Sequence, residues 1–115
     1  MNTSAMQLAL LTIAEPNRFN IVELLKRGSR SVGEIVQLLD LGQPQVSRHL
    51  RILSEAGLVS VRHKAQQRIY SLEAQPFQEL DAWFDSFSGL WEERLDRFED
   101  YMLDIQRGEK LDNNE

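Results

Sequence analysis

The stretch between residues 31 and 72 constrains the fold of this chain more than any other part of it. Two short segments with helical apolar spacing meet at a turn around Gly42, and two β-prone runs follow them. Ser31 and Glu34 lie three residues apart, which predicts a reciprocal capping box at the start of the first helix. Gly42 is expected to adopt a positive φ in the turn, and Gly57 is expected to end the second helix. This order of elements is typical of a helix-turn-helix.

The second helix, predicted over residues 44–56, has one apolar and one polar face. At 100° per residue, Val46, Leu50 and Leu53 fall on one narrow arc, and Arg48 lies nearly opposite them. Arginine and glutamine read guanine and adenine, respectively, through paired hydrogen bonds in the major groove of DNA. The pattern therefore predicts a DNA-reading helix, and the alternative interpretation is an ordinary amphipathic helix with a solvated outer face.

A charged segment, Arg62 to Arg68, lies between two β-prone runs at residues 58–61 and 69–72 and predicts the tip of a hairpin. The basic side chains of such a tip can straddle phosphates or enter the minor groove. A plain solvated hairpin is the alternative. The predicted DNA contacts of the helix and the hairpin are Gln43, Gln45, Ser47, Arg48, His49, Arg51, Arg62, His63, Lys64, Gln67 and Arg68.

The two histidines among these candidates, His49 and His63, differ in their expected surroundings. His49 lies on the inner flank of the helix, where a packed ring bonded to the backbone or to a phosphate is expected rather than a metal ligand. His63 belongs to the hairpin and is expected to contact phosphate or to be exposed.

The segment that begins at Gln43 carries a resemblance to a known family. Its sequence, Gln-Pro-Gln-Val-Ser-Arg-His-Leu-Arg-Ile-Leu-Ser-Glu-Ala-Gly-Leu-Val, resembles the ArsR/SmtB family of bacterial winged-helix repressors. Glu15-Pro-Asn-Arg18 and Tyr70-Ser-Leu72 are similar to two further motifs of that family. The resemblance implies a winged helix-turn-helix and a homodimer that binds operator DNA and releases it on a signal.

The net charge of −5 is unevenly distributed along the chain. Residues 1–75 contain nine basic and six acidic residues, which gives +3, whereas residues 76–115 contain four basic and twelve acidic residues, which gives −8. Within residues 43–72, five basic residues accompany a single acidic one, Glu55. Because phosphate neutralisation depends on local charge, this basic patch fits a DNA surface. The acidic end is expected to point away from DNA.

An apolar repeat of seven residues runs through the segment from residue 76 to about residue 107. The residues at that spacing are Phe77, Phe84, Trp91, Phe98 and Ile105. Such a repeat makes one continuous seam along a helix, and a helix of this length would extend for about 45 Å. An uncovered aromatic seam predicts pairing with a second copy, although packing within one subunit is the alternative. A bend or break is expected at Ser88-Gly89.

The expected fold is mainly α with a small β-hairpin wing: a winged helix-turn-helix that forms a homodimer through its N- and C-terminal helices. One domain is predicted over residues 1–107, with a dimerisation helix at about 76–107 and a disordered tail over 108–115. The predicted dimer contacts are Met6, Leu10, Phe84, Phe87, Trp91, Leu95, Phe98 and Met102.

The sequence offers little for metal binding or catalysis. It contains no cysteine, and the positions that match the cysteine site of the resembled family lie around Ser31 and Gly33, which are not ligands. Carboxylate pairs such as Asp81 and Asp85 fit a solvated acidic face better than a zinc site. Neither a phosphate-binding loop nor a nucleophile–base arrangement is recognisable. We therefore expect no metal, no cofactor and no enzymatic activity.

The sequence has no apolar run long enough to span a membrane, and its start lacks the features of a signal peptide, so a cytoplasmic protein is expected. The predicted function is sequence-specific DNA binding by a dimeric repressor of an inverted-repeat operator, through the helix at 44–56 and the wing at 59–72. The alternative is a winged-helix module that binds another protein. The releasing signal stays open between a small organic ligand near Trp83, Phe87 and Trp91, a partner protein, and no signal beyond protein level.

Overall fold

The structure is a computed structural model that describes the backbone of residues 3–113 and the side chains of residues 4–108. The chain divides into two compact units, Met1–Leu80 and Asp81–Glu115. The helices and strands are, in order, α1 (Thr3–Ala14), α2 (Pro16–Leu25), β1 (Arg30–Ser31), α3 (Val32–Leu39), α4 (Gln43–Glu55), β2 (Val59–Lys64), β3 (Gln67–Leu72), α5 (Ala74–Asp85) and α6 (Ser88–Asn113). A mainly helical chain with a small antiparallel sheet confirms the predicted fold class.

The capping box at the start of α3 is confirmed. The Ser31 hydroxyl accepts a hydrogen bond from the backbone N–H of Glu34 at 3.2 Å, and the Glu34 carboxylate accepts one from the backbone N–H of Ser31 at 3.1 Å. The hydrogen bond from the backbone N–H of Ser31, followed by the interaction with the Ser31 hydroxyl, lowers the pKa of the Glu34 carboxyl. The first helix of the helix-turn-helix therefore begins where the sequence predicts.

The turn between α3 and α4 differs from the prediction. Asp40, at the C-terminus of α3, adopts the left-handed conformation with φ of 52°, whereas Gly42 has φ of −67° and serves as the extended N-cap of α4. The prediction of a positive φ at Gly42 was therefore wrong. The physical reason is that the left-handed residue is needed directly after the last helical turn, and a short polar aspartate tolerates it better than most residues.

The hydrophobic core of the first unit gathers side chains from its helices and its sheet. α4 contributes three side chains that are fully buried, Val46, Leu50 and Leu53, as their shared arc predicts. Gly57, with φ of 76°, follows the end of α4 and brings Leu58 into the core. Truncating a buried leucine of this kind to alanine typically lowers the free energy of unfolding by about 2–5 kcal/mol. The buried side chains therefore fix the rotation of α4 and, with it, the direction of its outward face.

The wing consists of β2 and β3, joined by a two-residue loop at Ala65 and Gln66. The strands reach further than the sequence predicts, because Arg62, His63 and Lys64 pair with residues of β3 rather than forming a loop. Ala65 has φ of 54°, a conformation that costs a residue with a Cβ atom some strain. The tip of the hairpin is therefore tight.

A third strand, β1, completes the sheet in the order β1-β3-β2. Arg30 pairs with Tyr70, and Ser31 pairs with Ile69, in antiparallel orientation. The sequence predicts the hairpin of β2 and β3 but not β1, because a strand of two residues has no periodic pattern.

The second unit contains the end of α5 and all of α6. A turn at Ser86 and Phe87 separates these helices, two residues before the break expected at Ser88-Gly89. α6 continues to Asn113, whereas the sequence analysis ends this helix at residue 107 and expects a disordered tail. Residues 114 and 115 of that tail lie outside the described residues. No helix in the described part of the chain combines the length and the hydropathy that a bilayer crossing requires.

Candidate nucleic-acid interface

The outer face of α4 carries the polar side chains that the sequence predicts there. Gln45, Arg48 and Arg51 are exposed, and Ser47 is half-buried. On the opposite face, Leu50 is 0% exposed. α4 is therefore held by its apolar face, and its arginines are presented to solvent.

Three arginines from two elements meet in a groove between α4 and β3, with a cavity volume of about 530 Å³. We call it the arginine groove, and its lining residues are Pro44, Ser47, Arg48, Arg51, Ser54, Arg68 and Tyr70. None of these seven residues is acidic. Guanidinium groups with serine hydroxyls beside them are suited to bind phosphate oxygens.

Ser54 and Tyr70 line the arginine groove but are not among the DNA contacts predicted from the sequence. Ser54 follows Ser47 by seven residues and so lies on the same side of α4, which a helical projection can show. Tyr70 gives no such signal, since it is a buried strand residue that reaches the groove only through tertiary packing.

A smaller depression of about 270 Å³ lies where the starts of α3 and α4 approach the tip of the wing. It brings together two predicted contacts, Gln43 and Gln67, with Arg68. The remaining lining residues are Ser31, Val32, Gly33 and Gln66. Gln66 was missed because the sequence does not identify the two residues of the hairpin loop.

The basic residues of the wing are divided between its two faces. His63 lies opposite Arg68 in the strand pairing, whereas Lys64 lies opposite Gln67. Directly paired residues share a face and successive residues alternate. His63 therefore lies on the same face as Arg68, which lines the arginine groove, and Arg62 and Lys64 lie on the other face.

Gln45 has a structural contact as well as an outward position. Its side-chain oxygen accepts a hydrogen bond from the backbone N–H of Gly42 at 3.2 Å. Reading adenine through two hydrogen bonds requires both the oxygen and the amino group of a glutamine. The oxygen that caps Gly42 is therefore also the acceptor that adenine would use.

His49 is buried, which corrects its prediction as a DNA contact. The residue is 5% exposed, and its Nδ1 lies 3.3 Å from Nη1 of Arg18 and 3.8 Å from Oε2 of Glu15. A ring enclosed between α4 and α2 cannot reach a DNA duplex from this position. The ring is packed as expected, but its neighbours are side chains of α2 and of the preceding turn rather than the backbone or a phosphate.

Burial and charge shift the pKa values of both titratable groups in this contact. Burial lowers the pKa of His49 below the ordinary value of 6.5, and the positive charges of Arg18 and Arg48 lower it further, against the opposing effect of Glu15. Burial opposes ionisation of Glu15, but hydrogen bonds from the backbone N–H groups of Arg18 and Asn17 outweigh it and lower the pKa of this carboxyl. The neutral ring and the ionised carboxylate are therefore the favoured forms.

The predicted dimer contacts occur in both units. In the first unit, Met6 and Leu10 are partly buried and pack against the core. In the second unit, Phe87 is half-buried, and its ring contacts Trp83 and Trp91 at centroid distances of 5.1 and 6.4 Å. The remaining predicted contacts of this unit are exposed: Phe84, Trp91, Leu95, Phe98 and Met102.

Metal-binding side chains do not gather in the described part of the chain. No group of three or more histidine, aspartate or glutamate residues there could hold a metal ion. Asp81 and Asp85 are both exposed.

Comparison with known proteins gives the family of this chain. The family model described as bacterial regulatory protein, arsR family, matches residues 15–61. The transcriptional repressor SdpR of Bacillus subtilis is 35% identical over 75 residues, which are 65% of this chain and 83% of that protein. The chain belongs to the arsR family. A biofilm growth-associated repressor of Agrobacterium fabrum is 40% identical over 74 residues, which are 63% of each protein.

The solved structures of arsR-family relatives agree with this assignment. The crystal structure of the transcriptional repressor BigR from Xylella fastidiosa has a TM-score of 0.58 and 36% identity, and the match covers 70% of this chain and 84% of that one. The chain is a DNA-binding transcriptional regulator with a winged helix-turn-helix fold. The arsR family consists of regulators rather than enzymes. The part of this chain that matches the family model, residues 15–61, contains all of α4 and ends inside β2, before Arg62.

Proposed function

We propose that this protein is a dimeric repressor that places α4 in the major groove of an inverted-repeat operator. The observation that carries this proposal is the arginine groove, where Arg48, Arg51 and Arg68 converge without an acidic neighbour among the lining residues. The names of the relatives, which include transcriptional repressors, support the direction of regulation.

Within this proposal, Arg48 and Arg51 have different roles. Arg48 lies nearly opposite the buried face of α4 and therefore points most directly at base edges, where arginine recognises guanine. Arg51 and Arg68 approach one another from α4 and β3, a geometry suited to hold one phosphate between two elements. Ser47, which lines the α4 side of the groove, donates a hydrogen bond to a phosphate or a base.

The wing contributes contacts with the DNA backbone. Arg62 and Lys64 share the face of the hairpin that does not line the arginine groove, so they contact a different part of the backbone from Arg68. Each neutralised phosphate releases counterions, which makes affinity depend steeply on salt. His63 lies on the groove side of the wing, opposite Arg68 in the strand pairing.

A homodimer provides the two copies of α4 that an inverted repeat requires. Two such helices of a symmetric dimer bind half-sites about one helical turn apart. In the second unit, Trp91, Phe98 and Ile105 recur at heptad spacing on α6 and are exposed in the single chain. In the first unit, Leu8 and Leu11 of α1 are exposed as well. Exposed apolar surface of this kind is characteristic of an interface.

The chemistry of the chain also bears on the signal that it senses and on its cellular location. We propose a regulator that does not sense metal ions, since the chain contains no cysteine and thiophilic metals need thiolate ligands. A repressor acts on chromosomal DNA, so we place it in the cytoplasm.

The proposal is tested by selecting genomic DNA fragments with the purified protein and footprinting the selected sequences. We expect enrichment of an inverted repeat, protected on one face of the duplex at two sites. Arg48→Ala should reduce the enrichment, whereas Arg27→Ala, which removes an exposed arginine outside the groove, should leave it unchanged. Recovery of random fragments alone would contradict specific binding and favour the protein-binding alternative.

A further inference from the structure

A partly buried polar cluster connects α4, the proposed DNA-reading helix, to the first two helices. Arg18 donates from Nε to the backbone carbonyl of Thr12 at 2.7 Å, near the end of α1. Its Nη1 lies 3.3 Å from Nδ1 of His49, in the middle of α4. The Glu15 carboxylate accepts from the backbone N–H of Arg18 at 2.8 Å. One guanidinium group therefore connects α1, α2 and α4.

The chemistry of Arg18 determines the protonation state of His49. A guanidinium group has only donors, so the His49 Nδ1 that faces it must accept with a lone pair. The ring is then neutral and carries its proton on Nε2. A proton added to Nδ1 would remove the acceptor and would set two positive charges against one another.

The Glu15 carboxylate is the second available partner of the same ring nitrogen. Its Oε2 lies 3.8 Å from Nδ1 of His49, which is longer than a hydrogen bond. A protonated ring that moved toward Glu15 by less than 1 Å would donate to this oxygen while it lost Arg18. The cluster thus offers His49 one partner in the neutral form and another in the protonated form.

We propose that this cluster is a proton-operated positioning device for α4, in which protonation of His49 exchanges its partner from Arg18 to Glu15 and weakens operator binding. His49 follows Arg48 directly and lies two residues before Arg51, so a shift of its ring moves the two helix arginines of the groove. Specific contacts depend on placement within about 0.5 Å. The inference rests on the proposed DNA-binding function of those arginines.

The charged groups around His49 set the pH at which the exchange occurs. Among the described residues, Glu15 and Arg18 act on it from the α2 side and Arg48 acts from α4 itself. Burial, Arg18 and Arg48 favour the neutral ring, and Glu15 favours the protonated one. The exchange therefore takes place below pH 6.5, the ordinary pKa of histidine.

His63 is the second histidine of the chain and is exposed in the wing. All affinities are therefore compared in a His63→Gln background, in which His49 is the single histidine. The affinities for the selected operator and for a random duplex are measured from about pH 8 to about pH 5.5 at constant ionic strength.

In this background we expect operator affinity to fall about tenfold on acidification, a typical size for coupling between two equilibria. His49→Asn places an amide oxygen near the position of Nδ1 and does not titrate in this range. It should keep the affinity found at about pH 8 and lose the acid response. A response that persists in His49→Asn would overturn the proposal, and so would an unchanged affinity of the parent across the range.

Two further variants distinguish the partner exchange from a merely structural role. Glu15→Gln removes the charge that favours the protonated ring, so the midpoint of the acid response should move to lower pH. Arg18→Gln removes a charge that favours the neutral ring, so the midpoint should move to higher pH. Shifts in the same direction, or no shifts, would contradict the exchange. These two variants still test the exchange of partners if His49→Asn does not fold.

The titration of the His49 ring, followed by NMR in the free protein, separates this inference from the proposed function. If the protein binds no operator at any pH, the proposed function fails. Opposite shifts of the His49 titration in Glu15→Gln and Arg18→Gln are still expected in that case, and their absence would refute the exchange of partners.

Discussion

The side-chain oxygen of Gln45 accepts a hydrogen bond from the backbone N–H of Gly42, three residues earlier, at 3.2 Å. The same side chain is a candidate for reading adenine. Gln45 therefore stabilises the start of α4 in the free protein, and its capping role and its reading role use the same oxygen atom.

Replacing Gln45 by glutamate separates these two roles. Gln45→Glu keeps the acceptor for Gly42 and adds a negative charge that the N-terminus of a helix favours, so its melting temperature should equal or exceed that of the parent. Its operator affinity should fall, since a carboxylate cannot donate to adenine N7 and repels phosphate. Gln45→Ala should lose about 0.5–1 kcal/mol of stability as well as affinity. Unchanged operator affinity in Gln45→Glu would exclude this residue from the interface.

Arg48→Ala should weaken specific operator binding by about 1–3 kcal/mol and relax the base preference at one position of each half-site. The physical reason is the loss of paired hydrogen bonds to a guanine. Competition assays with operator and random duplexes measure the effect, and Arg27→Ala serves as the matched control. An equal loss on both duplexes would mean that Arg48 contacts phosphate only.

The wing variants Arg62→Ala and Lys64→Ala should lower affinity for every sequence. Each should reduce the slope of log affinity against log salt by about one unit, because each removes one phosphate contact. Titrations at several salt concentrations provide the slopes. A slope that stays at the parent value would remove the wing from the interface.

Introducing a charge into the exposed seam of α6 should prevent self-association. Phe98 is 62% exposed in the single chain, and Phe98→Glu or Trp91→Glu would bury an unpaired carboxylate in the proposed dimer. Sedimentation should find monomers or unfolded chains for these variants and a dimer for the parent. Glu92→Gln, which changes an exposed charge on the same helix, is the control. A parent protein that sediments as a monomer at micromolar concentration would refute the proposed dimer.

Zinc, cadmium and arsenite should not release the protein from its operator. Cadmium and arsenite need thiolates, and zinc prefers imidazole or thiolate ligands over carboxylates alone. Titrating each of them into the protein–operator complex at physiological salt measures release. Dissociation at low-micromolar zinc that disappears in Asp81→Ala or Asp85→Ala would identify these carboxylates as ligands.

The features that sequence predicts well here depend on neighbours in the chain. The capping box of Ser31 and Glu34 and the outward position of Arg48 follow from helical spacing alone. The residue with the left-handed conformation is Asp40 rather than the predicted Gly42, because the local sequence does not determine which residue is the last of α3.

The features that sequence could not predict depend on contacts between distant segments. His49 is buried because Arg18, thirty-one residues earlier, provides a partner for its ring. Tyr70 lines the arginine groove because the fold brings residues of β3 and α4 to the two sides of one groove. No local pattern encodes either contact, since both arise only when the first unit is assembled.

Ser31 belongs to two structures at once, since it caps α3 with its hydroxyl and pairs with Ile69 of the wing through its position in β1. A force applied to the base of the wing is therefore transmitted directly to the first turn of α3. The wing cannot tilt away from the helix-turn-helix unless this strand pair breaks or α3 follows it. If the wing contacts DNA as proposed, DNA that bends against it would meet resistance from the helices, and the intrinsic curvature of an operator would then affect its affinity.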